Sequence, residues 1–204
     1  MVQIFIRTIR PKLLGYLTKL LYCSKRIQFG KNLKCDSIPK ILVDKDSKIK
    51  IGHNVELRRN IELRAHKSAK LILGNNMRID RGVRIIAMNG KDVDIHDGTR
   101  IGLYVVMNGG DTIDIGKNVL ISGFVYLQTS LHEYKNKEES IKEQGYRYGK
   151  IIIKDDVWIG AHAVILPGTI LGKGSIVGSN AVVNINVNQY EIVGGVPAKT
   201  IKER

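Results

Sequence analysis

From residue 153 onward, apolar residues recur every six positions: Ile153, Ile159, Ile165, Leu171, Val177 and Val183. A companion register four residues later holds small or β-branched residues: Val157, Ala163, Thr169, Ser175, Ala181 and Val187. A helix repeats every 3.6 residues and a strand every 2, so neither keeps one face at this spacing. Strands of two or three residues, joined by tight turns at Gly160, Gly172 and Gly178, do keep it. Three such strands close a triangular coil of about 18 residues, and stacked coils share one apolar interior. The pattern is that of a parallel β-helix.

The ladder continues toward the N-terminus with interruptions. Its interior positions group as Ile51, Leu57, Leu63; Leu73, Ile79, Ile85; Ile95, Ile101, Met107; and Ile115, Ile121, Leu127. The steps between groups are 10, 10, 8 and finally 26 residues, each after the third member of a triplet. Every insertion is therefore expected to leave the prism at one edge, and loops on a rigid scaffold are where function concentrates. Six coils spaced by about 4.8 Å give a prism about 30 Å tall.

The expected organisation is a basic N-terminal segment at 1–48, a β-helix at 49–190 carrying a long loop at 128–152, and a tail at 191–204, expected to be helical. The net charge is +14, unevenly placed: residues 1–34 hold eight Lys or Arg and no acid. Within them Ile6, Ile9, Leu13, Tyr16, Leu17, Leu20 and Leu21 recur at helical spacing, with Pro11 suited to a first turn. Such a helix either caps the open end of the solenoid or lies on an anionic membrane surface; the two roles are compatible. The charge comes without a basic and aromatic platform, so nucleic acid is not an expected partner. Cys23 and Cys35 read as free thiols of a reducing compartment. No stretch reads as a signal peptide or as a span of about 20 apolar residues. The expected location is cytoplasmic, peripheral to the inner face of the cell membrane.

The stretch Val157-Trp158-Ile159-Gly160, the following Pro167-Gly168 and the closing Gly195-Val196-Pro197-Ala198-Lys199 carry more information than periodicity. On these motifs the chain resembles the hexapeptide-repeat acyltransferases, in the branch of galactoside, maltose and polysaccharide O-acetyltransferases. The resemblance covers about residues 50–204. It implies a left-handed β-helix, a homotrimer with sites between subunits, and acetyl-CoA extended along the prism. Carried over position by position, Gly160, Ala161 and Ser179 would border the pantetheine arm. Asn184 would meet the cofactor further up, and Lys199 and Lys202 would approach its phosphates.

The resemblance also implies a histidine base shortly after the last strand before the long loop, and His132 holds that position. The chemistry requires such a group. An alcohol attacks a thioester efficiently only if its proton leaves during attack, and a neutral imidazole is matched to that transfer. Asn108 and Asp111 lie one coil below on the same edge and are candidate acceptor-binding residues, with Asn108 also a candidate partner for His132. His53, His96 and His162 fall in different coils, so no metal site is expected. The expected function is acetyl transfer from acetyl-CoA to a hydroxyl of a carbohydrate acceptor in cell-surface polysaccharide or lipid-linked glycan synthesis. Acetylation of an amino-sugar nitrogen, of serine or of an antibiotic is the second enzymatic reading. A non-catalytic β-helix scaffold is the reading of a different class.

Overall fold

The computed structural model describes residue 3 and residues 5–204. Three parallel sheets form the sides of a triangular solenoid. Face 1 runs from Ile27–Phe29 up to Ile170–Leu171, face 2 from Lys34–Cys35 up to Glu191–Gly194, and face 3 from Lys40–Val43 up to Val182–Val183. Each residue stacks on its counterpart one coil away: Ile27, Ile49, Leu71, Val93, Ile113 and Ile151 form one column of face 1. Among the described residues faces 1 and 3 hold seven strands each, which makes seven full coils, one more than the repeat predicts.

The extra coil lies at the bottom. The solenoid starts at Ile27, not at residue 49, because Ile27, Cys35 and Ile41 already occupy interior positions. Lysines flanking them and a cysteine in place of an aliphatic hide that rung in the sequence. The ten-residue steps are also not loops. Where they occur, strands such as Glu62–Ala65 and Lys70–Leu73 lengthen to four residues. Alternation then sends Ala65, Ala69 and Leu71 into the core, all 0% exposed. Lengthened faces absorb these insertions, and residues 128–150 form the one that stands away from the coils. There Ser130–His132 and Tyr146–Tyr148 pair as an antiparallel hairpin.

Corners place residues in the left-handed region: Asn32, Asn54, Asn76 and Asn118 on the corner between faces 1 and 2, and Tyr104, Phe124, His162 and Asn180 on the corner between faces 2 and 3. Asparagine tolerates that conformation, and its side chains link the rungs, as when Asn32 Nδ2 donates to Asn54 Oδ1 at 2.9 Å.

Both ends are closed. Helix α1, Arg10–Tyr22, packs under the first rung with Pro11, Gly15 and Thr18 buried and Leu14 and Tyr22 against the core. Lys19 Nζ donates to the Gly30 carbonyl oxygen at 2.5 Å. The C-terminal tail is a strand, Lys199–Glu203, antiparallel to Glu191–Gly194, and not the expected helix. A strand there pairs the free edge of face 2, which a helix would leave open. Among the described residues no helix is long and apolar enough to cross a membrane.

Candidate active site

Two edges of face 3 carry the residues singled out in the sequence. The edge between faces 3 and 1 holds Asn108 and Asp111, then the hairpin one rung higher, then Leu166–Gly168, then Asn184. The edge between faces 2 and 3 holds Ala161 and, one rung above it, Ser179. The Asn180 N–H donates to the Ala161 carbonyl oxygen across that step at 2.9 Å.

His132 ends the first strand of the hairpin, opposite Tyr146. Its ring lies against Tyr146, with centroids 4.3 Å apart, and is otherwise open to solvent. The hairpin root is laced to the coil below it. The Gly149 N–H donates to the Thr129 carbonyl oxygen at 2.9 Å, and Thr129 Oγ1 donates to the Asn108 carbonyl oxygen at 2.7 Å. Thr129 is fully buried, so the base of the hairpin is fixed even though its tip is exposed.

Asn108 stands on the strand Val106–Gly109 and is not a turn residue. Its Nδ2 donates to the Tyr126 hydroxyl at 2.7 Å and to Gln128 Oε1 at 3.0 Å. Gln128 Nε2 in turn donates to the Ser130 carbonyl oxygen at 2.7 Å and to Ser130 Oγ at 3.1 Å. The amide therefore reaches the hairpin through Gln128 and Ser130, and its N–H groups are spent on Tyr126 and Gln128, not on His132. Asp111 plays a local part: its Oδ1 accepts from the Thr112 N–H at 2.7 Å, and its own N–H donates to Thr129 Oγ1 at 2.9 Å. Tyr126, Gln128, Tyr146 and Tyr148 join this site without having been singled out in the sequence. The register offered one signal, since Asn108 and Gln128 share a strand position in successive coils.

On the other edge, Gly160 is required by coil stacking. A Cβ there would approach the Ser179 nitrogen to 2.6 Å, too close for any side chain. Gly160 and Gly178 directly follow the strands Trp158–Ile159 and Ile176–Val177 of face 2, Gly194 ends the next, and Lys199 pairs with Gly194 on the terminal strand. Ala161 and Ser179 are thus on successive rungs of one corner, and Lys199 lies on the strand beyond Gly194. Lys202 pairs with Ile192, further along the same strand. Asn184 is exposed and belongs to the hairpin edge, one face away from Ala161 and Ser179. Glycine, alanine and serine leave the backbone accessible at the Gly160–Ala161 and Gly178–Ser179 steps, beside His162 and Asn180 of the same corner.

His53, His96 and His162 do not converge. His53 Nδ1 accepts from the Lys31 N–H at 2.8 Å, His96 Nε2 lies 3.3 Å from Asp114, and His162 stacks on Phe124 at 4.7 Å.

Residues 150–184 match the family model described as bacterial transferase hexapeptide (six repeats). A probable acetyltransferase of Mycobacterium tuberculosis is 36% identical over 104 residues, 51% of this chain and 35% of that protein. The putative lipopolysaccharide biosynthesis O-acetyl transferase WbbJ of Escherichia coli is 29% identical over 114 residues, 52% of this chain and 58% of that one. The chain therefore spans less than two thirds of the length of these relatives. AntD, an N-acyltransferase from Bacillus cereus solved with dTDP and 3-hydroxybutyryl-CoA, superposes with a TM-score of 0.60 at 24% identity, covering 93% of this chain and 87% of AntD, which is likeness of fold. Residues 150–184 are thus similar to the hexapeptide-repeat transferases, and the coils built on that repeat share the fold of AntD.

Proposed function

We propose that the protein is a CoA-dependent O-acetyltransferase acting on a hydroxyl of a sugar, in the synthesis of a cell-surface or lipid-linked glycan. The observation that carries the reading is the pair of edges on face 3. One presents a histidine on a hairpin with a fixed root, and the other presents the small residues Gly160, Ala161 and Ser179 with Lys199 on the terminal strand beyond them. His132 takes the proton of the acceptor hydroxyl as its oxygen attacks the thioester carbonyl of acetyl-CoA. The tetrahedral intermediate then collapses with loss of the CoA thiolate, and the imidazolium returns the proton to that leaving sulfur. Ala161 and Ser179 border the pantetheine arm, Lys199 and Lys202 face the phosphates, and Asn184 contacts the cofactor from the neighbouring edge. Asn108 shapes the acceptor side through Gln128 and Ser130, with Asp111 holding the loop beneath.

One face width separates the two edges within a chain. A homotrimer resolves this by setting the hairpin edge of one subunit against the Ala161 and Ser179 edge of the next. The relatives favour a sugar hydroxyl, since WbbJ is described as an O-acetyl transferase of lipopolysaccharide biosynthesis. An amino-sugar nitrogen is the second reading, favoured by the fold likeness to AntD, an N-acyltransferase.

The test is free-thiol release from acetyl-CoA against hydroxyl-bearing and amino-bearing nucleotide sugars and oligosaccharides, with His132→Ala in parallel. Acceptor-dependent release that falls about 10²–10⁴-fold in the variant is expected. Full activity in the variant, or no release and no CoA binding in the parent, would overturn the assignment.

A further inference from the structure

Helix α1 is apolar on two opposite faces. The inward face is small: Pro11, Gly15 and Thr18 close the base of the core, flanked by Leu14 and Tyr22. The outward face is large: Leu13, Tyr16, Leu17, Leu20 and Leu21 point away from the coils, Leu13 being 59% and Leu20 70% exposed. Ile6 and Ile9 extend the outward stripe upstream. A helix that only capped the core would direct its leucines inward and polar residues outward. Here capping uses the small residues and leaves the large ones to solvent.

The surroundings of that stripe are predominantly cationic, with Glu56 and Asp36 as the acids lining its two grooves. A groove of about 680 Å³ beside α1 includes Lys12, Lys19 and Lys34, and another of about 370 Å³ includes Arg10, Arg58 and Arg59. Lys25, Arg26, Lys48 and Lys50 continue the rim along face 1. Ion pairs at this end join Lys34 to Glu56 at 2.8 Å, Arg58 to Asp36 at 3.0 Å and Lys70 to Asp92 at 3.8 Å. They leave Arg10, Lys12, Lys25, Arg26 and Lys31 unpaired among the described residues. A second copy of this chain would bring the same cationic rim against itself. An anionic bilayer satisfies stripe and rim together, with leucines among the acyl chains and cations at the phosphates.

We propose that the outward face of α1 and its basic rim are a docking surface for an anionic lipid bilayer, on which the solenoid stands base-down. The cap lies beneath Leu33 and Cys35, so its outward face points away from the coil stack. The hairpin root at Gln128 is four rungs above the lowest strand of face 3, which at about 4.8 Å per rung is about 20 Å up. The protein then holds His132 at a fixed height, suited to a sugar carried on a membrane-anchored glycan. That last step rests on the function proposed above; the docking does not.

The experiment is co-sedimentation of the whole chain with vesicles of phosphatidylcholine, alone or with about a quarter phosphatidylglycerol. Binding only to the anionic vesicles, weakened by salt, is expected. Leu17→Glu with Leu20→Glu should reduce it about tenfold or more at unchanged melting temperature, since neither side chain enters the core. Binding that persists in that variant overturns the proposal. So does absence of binding in the parent together with a loss of self-association in the variant, which makes the stripe a protein interface. The single tryptophan tests orientation. Trp158 should escape quenching by brominated lipid, whereas Leu20→Trp in a Trp158→Phe background should be quenched. Quenching of Trp158 rules out the upright pose. None of these readings depends on turnover, so failure of docking and failure of the acetyltransferase assignment are separately visible.

Discussion

The imidazole of His132 lies against the Tyr146 ring, centroids 4.3 Å apart and planes inclined by 38°, because the two residues face each other across the hairpin. Such contacts contribute about 0.5–1.5 kcal/mol, enough to restrict a ring that is otherwise in solvent. Tyr146 is therefore a positioning residue. Tyr146→Ala is expected to lower kcat about tenfold while leaving the KM for acetyl-CoA unchanged, and Tyr146→Phe should restore the rate. Equal loss in both variants would point to the hydroxyl instead of the ring.

Asn108 ties the coil to the hairpin through Gln128 and Ser130. Asn108→Ala removes both donors and should destabilise the fold by about 1–2 kcal/mol, read from thermal unfolding. It should also raise the KM for the acceptor more than that for acetyl-CoA. Asn108→Asp keeps the size but cannot donate, so it should fail as badly; a variant indistinguishable from the parent would remove Asn108 from the site.

A Cβ at Gly15 would overlap the Leu33 carbonyl oxygen, so α1 sits as close to the first rung as a helix can. Alanine gains about 1 kcal/mol of helix propensity over glycine, but here the helix must lift. Gly15→Ala is expected to lower stability by about 1–3 kcal/mol. Cys35 reports on the same joint. Burial pushes its thiol up to about 11, while the Thr18 hydroxyl 3.6 Å from its sulfur opposes that rise. Exposed Cys23 should alkylate readily, whereas Cys35 should react only when the cap opens, and faster in Gly15→Ala. Simultaneous labelling of both thiols in the parent, followed by mass spectrometry, would mean that the cap is not closed.

Glu191 fastens the C-terminal strand. Its carboxylate accepts from the Thr200 hydroxyl and from the Asn188 N–H, and these bonds hold its pKa below the ordinary 4.5. A depressed carboxylate stabilises the fold above its unfolded pKa and loses that contribution as pH falls through the folded one. Loosening of Lys199–Glu203 is therefore expected only below about pH 4.5. Hydrogen exchange at Thr200 and Lys202 against pH reads it, and Glu191→Gln should abolish the acid step.

Much of this molecule is legible in one dimension. The six-residue period determines the solenoid, because an interior position every sixth residue has only that way to stay inside. It also marks where the chain must leave the coils, as 128–152, two residues beyond the hairpin segment 128–150 because Ile151 already opens the next strand. His132 is legible only on the strength of resemblance, since a histidine in a loop has no periodicity of its own.

The tertiary structure decided what depends on neighbours in other coils. The ten-residue steps became longer strands because Ala65 and Ala69 found space in the core. The lowest rung formed because α1 covers Cys35, and the tail became a strand because face 2 ended in an open edge. Asn108 ties the coils together and does not reach His132, because Tyr126 and Gln128 one rung above take both its N–H groups. The helix displays the same division. Its spacing in the sequence marks one stripe of large apolar residues, but only packing against the first rung decides that the opposite, small-residue face is the buried one. Gly15 fits beneath the Leu33 carbonyl and a leucine does not, so the large residues face out.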